Sequence, residues 1–128
     1  MDVIAKTKFA RMSPSKARDL ATRIKGLPVS EALSITEFSN RKAANLIGKT
    51  LKSAIANAEH NNDLDTGKLR VKSAVIDGGP KMSRYWARAR GMVRKISKPM
   101  CHITIVLTDE SGAPSRAEKK AAAKEASA

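Results

Sequence analysis

The sequence predicts an α+β fold, in which three helices pack on a small antiparallel three-stranded sheet and a long β-hairpin protrudes from it. Apolar residues recur at helical spacing in three segments and alternate with polar residues in three others. A basic segment without acidic residues separates the last two strands, which predicts the hairpin. We assign residues 1–110 to one domain. Small residues, Lys and Glu dominate residues 111–128, which predicts a disordered or loosely helical basic tail.

The first predicted strand covers residues 3 to 9, where Ala5, Thr7 and Phe9 share one face and Lys6 and Lys8 share the other. The first helix begins after it, with Ser13 as the N-cap and Pro14 at the first helical position. An apolar stripe defines its inward face: Ala17, Leu20, Ala21 and Ile24. Gly26 and Pro28 end this helix. Its outward face contains one acid, Asp19. The other outward residues are cationic: Lys16, Arg18, Arg23 and Lys25.

Two further helices follow. The second runs from about Val29 to Phe38, with Val29, Ala32 and Leu33 inward. The third runs from Arg41 to about His60 and ends at Asn61-Asn62-Asp63. One face of this third helix stays apolar through five turns: Ala44, Ile47, Leu51, Ala54, Ile55 and Ala58.

Two more strands are predicted. Between Leu69 and Ile76, apolar residues alternate with basic ones until Gly78-Gly79-Pro80 interrupts the pattern, so Leu69, Val71 and Val75 are expected on one face and Arg70 and Lys72 on the other. From Cys101 to Thr108 a β-branched run places Ile103, Ile105 and Leu107 on one face.

Composition restricts the function. A chain of 128 residues has room for one domain, and 25 basic against 12 acidic residues give a net charge of +13, which favours a polyanionic partner such as nucleic acid. An acidic membrane surface is the competing partner. The single cysteine, Cys101, allows no internal disulfide and indicates a reducing compartment. The N-terminus lacks a signal-peptide pattern and no apolar run approaches about 20 residues, so we expect Met1 to be the start and no membrane span.

No catalytic, metal or cofactor site is expected. Gly48-Lys49-Thr50 resembles the end of a phosphate-binding loop, but Ala43 replaces the required upstream glycine and the context is mid-helix. Cys101 and His102 are neighbours on a strand and point to opposite faces, which excludes a nucleophile and base pair. The only other histidine, His60, lies near a helix end and has no cysteine pair beside it.

The basic segment from Lys81 to Met100 contains seven cations and no acid. About ten residues per arm would form a hairpin projecting roughly 30 Å, with Gly91 at the turn in a positive-φ conformation. Regular alternation would place four side chains on one face of the hairpin: Arg84, Trp86, Arg88 and Arg90. Three others would lie on the opposite face: Tyr85, Ala87 and Ala89. Guanidinium groups suit phosphates, and aromatic rings stack on unpaired bases. This combination favours RNA over a merely solvated charge run.

Two stretches carry a family resemblance. The helix end Ser53-Ala-Ile-Ala-Asn-Ala-Glu-His-Asn61 and the run from Gly79-Pro80 through Ala89-Arg90-Gly91 to His102-Ile-Thr-Ile-Val106 closely resemble the bacterial large-subunit ribosomal protein L22 family, over about residues 2 to 110. The resemblance implies a non-enzymatic, cytoplasmic component of the large ribosomal subunit. It also implies that a hairpin at about residues 79–102 lines the peptide exit tunnel. Tyr85 and Trp86 are bulkier, and Met92-Val93 more apolar, than the family's usual residues.

Three kinds of partner are implied by the resemblance: large-subunit ribosomal RNA, neighbouring ribosomal proteins and the nascent polypeptide. No membrane, DNA or second copy of the chain is expected. The tip and tunnel residues carried over from the family are Met82, Ser83, Arg84, Arg88, Ala89, Arg90, Gly91 and Met92.

We expect phosphate neutralisation to supply most of the affinity for RNA. The candidate RNA-binding residues of the globular part are Lys6, Lys8, Arg11, Ser13, Lys16, Arg18, Arg23 and Lys25. Those of the hairpin are Lys81, Arg84, Tyr85, Trp86, Arg88, Arg90, Arg94, Lys95 and Lys98. The tail adds possible weak contacts through Arg116, Lys119, Lys120 and Lys124.

The main alternative function is an architectural DNA-binding protein whose basic β-ribbon arms enter the minor groove. Such proteins normally dimerise, so a monomer that prefers structured RNA would argue against it. A membrane-active protein would need a helix with a free apolar face, whereas the best helix here uses that face for the core. An enzyme is the least favoured class, because no convergent acid, base and nucleophile set is visible.

Overall fold

The computed structural model describes residues 1–109, so the predicted tail lies outside the described residues. The main elements in chain order are β1 (Asp2–Ala10), α1 (Pro14–Ile24), α2 (Val29–Phe38), α3 (Lys42–Asn62), β2 (Leu69–Ala87) and β3 (Val93–Asp109). Short 3₁₀ turns at Thr66–Lys68 and Ala89–Gly91 precede β2 and β3. The three strands form one antiparallel sheet in the order β1-β3-β2. The predicted fold class is confirmed.

The core lies between one face of the sheet and the three helices. β3 is central, and Ile103, Ile105 and Leu107 on its inner face are fully buried, as predicted. The inward stripe predicted for α1 is also buried. Along α3 the buried face is rich in alanine, and small side chains let a helix pack close to a sheet. Leu33 and Ile55, which were predicted to point inward, are only partly buried.

The N-terminal half of β2 differs from the predicted alternation. The register against β3 shifts between Val71 and Ser73, so one residue is added to β2 there. An added residue reverses which face every later side chain occupies. Ile76 is therefore buried, whereas Val75, predicted to share a face with Leu69 and Val71, is 45% exposed. The prediction for Val75 was wrong for this reason.

The observed helix ends lie close to the predicted positions, but their hydrogen bonds differ in part from those predicted. Ser13 is the N-cap residue of α1, but its hydroxyl makes no cap hydrogen bond and pairs with the Ser15 hydroxyl instead. Gly26 has a φ of 80°, and its N–H donates to the Val71 carbonyl at 2.7 Å, which ties the end of α1 to β2. α3 runs two residues past the predicted end and terminates at Asp63, which is left-handed.

Beyond the core, β2 and β3 continue as the hairpin. After a second register shift at Gly78, their pairs run without interruption from Lys81 opposite Pro99 to Ala87 opposite Val93. Every residue from 83 to 95 is exposed, so this part of the ladder protrudes from the domain. The turn closes where the Arg88 N–H donates to the Met92 carbonyl at 2.7 Å.

The hairpin turn confirms one prediction and corrects another. Gly91 has a φ of 68°, as predicted for the tip. Arg90 is also left-handed, with a φ of 60°, inside the 3₁₀ turn Ala89–Gly91. The regular alternation expected for Ala89 and Arg90 is therefore wrong, because a turn interrupts the strand after Ala87.

Candidate nucleic-acid interface

A cleft of about 500 Å³ lies where the start of α1 meets the base of the hairpin. Among residues 1–109, five cationic side chains and no acidic one line it: Arg11, Lys16, Lys42, Arg84 and Lys98. We call this site the base cleft. Ser13 and Ser97 add hydroxyl groups to its wall. Hydroxyls and cations around an open cleft are the groups that bind phosphate oxygens.

A distortion of β1 leads the chain into the base cleft. The β1 register shifts between Thr7 and Ala10, and Phe9 has a φ of 57°. The Phe9 N–H donates to His102 Nδ1 at 3.0 Å, and the two rings meet edge to face with centroids 5.0 Å apart. These contacts hold a left-handed conformation that is unfavourable for phenylalanine. Arg11 follows this bend and reaches the cleft.

Lys42 is the cleft cation that was not predicted from the sequence. It is the first residue of α3, and its Nζ donates to the Arg11 carbonyl at 2.8 Å. That hydrogen bond joins the start of α3 to the loop between β1 and α1. The only sequence signal was a basic pair, Arg41-Lys42, at the predicted start of the third helix. Nothing in the sequence indicates that the starts of two helices lie beside one cleft.

The strand register divides the hairpin side chains between two faces. Directly opposed residues of an antiparallel pair share a face, and neighbours along a strand alternate. Arg94 lies opposite Trp86, Ile96 opposite Arg84, and Lys98 opposite Met82, which defines one face. The other face carries Ser83, Tyr85, Ala87, Val93, Lys95 and Ser97. We call these the Trp86 face and the Tyr85 face.

The hairpin cations make no ion pair with an acidic side chain among residues 1–109. The Arg84 guanidinium donates only to the Ser83 carbonyl, at 2.8 Å, and to the Met82 sulfur, at 3.7 Å. Because no carboxylate of residues 1–109 neutralises these groups, their positive charge is available to an external anion. The predicted hairpin residues, from Lys81 to Lys98, are thus exposed and uncompensated.

Two other predicted RNA-binding residues, Arg23 and Arg18, bond groups of their own chain. Arg23 pairs with Asp19 at 3.6 Å, and Arg41 pairs with the same carboxylate at 2.5 Å. The Arg41 hydrogen bond, aided by the charge of Arg23, holds the pKa of Asp19 below its usual 3.8. Arg18 donates from Nε to the Ile76 carbonyl at 3.2 Å, which braces α1 against β2.

Three predicted lysines lie apart from the base cleft. Lys6 occupies the sheet face opposite the helices, because Val3 and Ala5 on its strand are buried. Lys8 is exposed at the β1 distortion. Lys25 follows the last turn of α1, about 15 Å along the helix from Pro14. The cleft therefore unites five predicted RNA-binding residues, Arg11, Ser13, Lys16, Arg84 and Lys98, with Lys42.

The remaining chemistry of the described residues is limited. Among residues 1–109, no group of three or more His, Cys, Asp or Glu side chains could hold a metal ion. In the same range, no helix is long and apolar enough to cross a membrane. Cys101 is fully buried, and burial raises the pKa of its thiol, so the reactive thiolate is disfavoured.

Comparison with known protein families adds one finding to this geometry. The family model described as ribosomal protein L22p/L17e matches residues 5–108 of the chain. The matched range begins in β1 and ends in β3, so it contains all three helices, the base cleft and the whole hairpin.

Proposed function

The chain belongs to the ribosomal protein L22p/L17e family, and from that membership we propose that its hairpin lines the nascent-peptide exit tunnel and that the protein supports assembly of the large subunit. Membership itself makes the chain a structural protein of the large ribosomal subunit, in the cytoplasm, that binds ribosomal RNA. The family is structural rather than enzymatic. The resemblance found in the sequence is confirmed, and the DNA-binding alternative is disfavoured.

The hairpin is the observation that carries the tunnel proposal. Residues 83 to 95 are all exposed, so this arm adds nothing to the core formed by residues 1–109. Its cations repel one another unless an anion compensates them. RNA supplies that compensation along the arm, and the turn at Arg88 to Met92 then lies farthest from the domain. An arm inserted into folded RNA in this way presents its tip to the exit tunnel inside the large subunit.

The base cleft supports the assembly proposal. Its five cations lie between the globular domain and the hairpin, so one protein holds both RNA bound in the cleft and RNA bound along the arm. Cations between two RNA segments offset the repulsion that arises when folding brings their phosphates together. We assign RNA phosphate contacts to the cleft cations and to the hairpin cations, with Ser13 as a neutral donor.

The tunnel proposal is tested by crosslinking. A photoreactive amino acid replaces Met92 at the tip in one variant, and Lys68, in the 3₁₀ turn before β2, in a control variant. Ribosomes carrying each variant are stalled on nascent chains of increasing length. We expect crosslinks to the nascent chain from position 92 once the chain reaches the tip, and none from position 68. Absence of a crosslink from position 92 at every chain length would overturn the proposal.

The assembly proposal is tested with a chain in which residues 82–98 are replaced by a short turn. We expect this variant to bind large-subunit RNA through the cleft residues that it retains, while large subunits accumulate as immature particles in sucrose gradients. Mature subunits formed at the rate seen with the full chain would overturn the assembly role and leave the tunnel proposal intact.

A further inference from the structure

We propose that the hairpin binds RNA with one face, the Trp86 face, and that Trp86 stacks on an unpaired base while the adjacent arginines hold the flanking phosphates. This inference rests on the RNA contact proposed for the hairpin, and it adds which face and which side chain make it. The opposite Tyr85 face stacks on no base and contributes fewer phosphate contacts.

The two faces differ in charge. On the Trp86 face the register places Arg84, Arg94 and Lys98, and Arg88 continues the same strand in extended conformation beyond Ala87. Over the paired length from Lys81 to Ala87, the Tyr85 face carries two cations, Lys81 and Lys95. Since phosphate contacts supply most of the affinity for RNA, a strand that follows the hairpin is held more strongly on the Trp86 face.

The Trp86 face is also continuous with the base cleft. Met82, Arg84 and Lys98 belong to this face and line the cleft at the same time. Arg84 and Trp86 are two residues apart on one strand, a separation of about 6.6 Å. An RNA strand whose phosphates occupy the cleft therefore reaches the indole without crossing to the other face.

Trp86 stacks on no other ring within residues 1–109. The aromatic contact in this range joins Phe9 and His102 instead. The Trp86 side chain is 60% exposed although its neighbours on both strands are arginines. An open indole flanked by guanidinium groups is the arrangement that holds a base together with its phosphates. Tyr85 is 76% exposed, and its neighbours on that face are Lys95 opposite it and Ser83 and Ala87 along β2, so fewer cations surround it than surround Trp86.

The chain contains one tryptophan, so fluorescence reports on Trp86 alone. The full chain is titrated with large-subunit ribosomal RNA, with correction for RNA absorbance, and separately with inorganic polyphosphate, which has the charge but no bases. We expect RNA to quench the emission and polyphosphate to bind without quenching. Unchanged emission at saturation with RNA, or equal quenching by polyphosphate, would overturn the inference.

Matched variants complete the test. Trp86→Leu is expected to weaken binding to the RNA about 5- to 150-fold, the range that stacking on one base supplies. Tyr85→Leu keeps the same strand and net charge and should change affinity less than twofold. Equal losses from both variants would overturn the one-face inference. Failure of the unmodified chain to bind the RNA would instead defeat the proposed RNA contact itself, which separates the two results.

Discussion

Removing two cations from the base cleft should make RNA binding measurably less sensitive to salt. Lys16 and Lys98 line the cleft, and neither side chain makes an ion pair or hydrogen bond with another group among the described residues, so both ammonium groups are available to phosphates. Each phosphate contact contributes about 0.7 to 0.9 to the slope of log K against log salt concentration. The double variant Lys16→Gln/Lys98→Gln should therefore have a slope shallower by about 1.4 to 1.8.

The assay is equilibrium binding to large-subunit ribosomal RNA at several salt concentrations. Over a fourfold increase in salt, the predicted slope difference means that the unmodified chain loses about 7- to 12-fold more affinity than the variant. The two proteins therefore differ most at low salt and converge as salt rises. Comparison at one salt concentration would not separate this effect from a general loss of stability.

A control pair with the same change in charge is available elsewhere. Lys52 pairs with Glu37 at 3.1 Å and Lys68 with Asp65 at 3.9 Å, and neither lysine lines the base cleft. Lys52→Gln/Lys68→Gln should leave the slope within about 0.3 of the unmodified value. If the control pair flattens the slope as much as the cleft pair, total charge rather than the cleft determines binding, and the assignment of the cleft is refuted.

Three further predictions concern stability. Gly91→Ala places a Cβ at a φ of 68°, which costs about 1 to 2 kcal/mol, so amide exchange at the hairpin turn should accelerate about 5- to 30-fold; Gly78→Ala, with open space and no positive φ, should leave it unchanged. Thr50→Val removes both the 2.8 Å hydrogen bond between the Thr50 and Thr7 hydroxyls and the 3.0 Å bond from the Thr50 hydroxyl to the Leu46 carbonyl, and should cost about 1 to 3 kcal/mol in urea unfolding; losses that simply add in the double variant with Thr7→Val would contradict a coupled pair. Asp19→Asn tests the carboxylate whose folded-state pKa lies below 3.8: its stabilisation is present above that pH and is lost as the pH falls through the lower, folded-state value, so the urea midpoints of the two proteins should converge on acidification. A constant difference between about pH 6 and pH 2 would contradict this.

Strong local patterns explain why most elements could be predicted. The helical stripe from Ala17 to Ile24 and the β-branched run from Cys101 to Thr108 each agree with only one periodicity, so the elements and their buried faces follow. The bounds of α2 agree with the prediction because its ends coincide with Pro28 and Ser39. The hairpin was predicted from charge rather than from periodicity, since twenty residues with seven cations and no acid cannot form a core.

The errors occur where the backbone departs from regular geometry. The face of Val75 was wrong because the register shift after Val71 is set by pairing with β3, which a single strand's sequence does not show. Arg90 was placed on a strand face, whereas the turn requires a left-handed residue before Gly91. The hydroxyl of Ser13 bonds Ser15 rather than the helix start, a choice between two nearby donors.

The sequence alone determined the fold class, most of the core faces, the basic hairpin and the family, because these depend on periodicity, on net charge and on residues adjacent in the chain. The tertiary structure alone decided which cations act together. Lys42 joins Arg11 and Lys98 in the base cleft from three distant segments, while Arg23 is paired with Asp19 and Arg18 braces Ile76. The physical reason is that a binding surface depends on distances between side chains far apart in sequence, and folding brings those together.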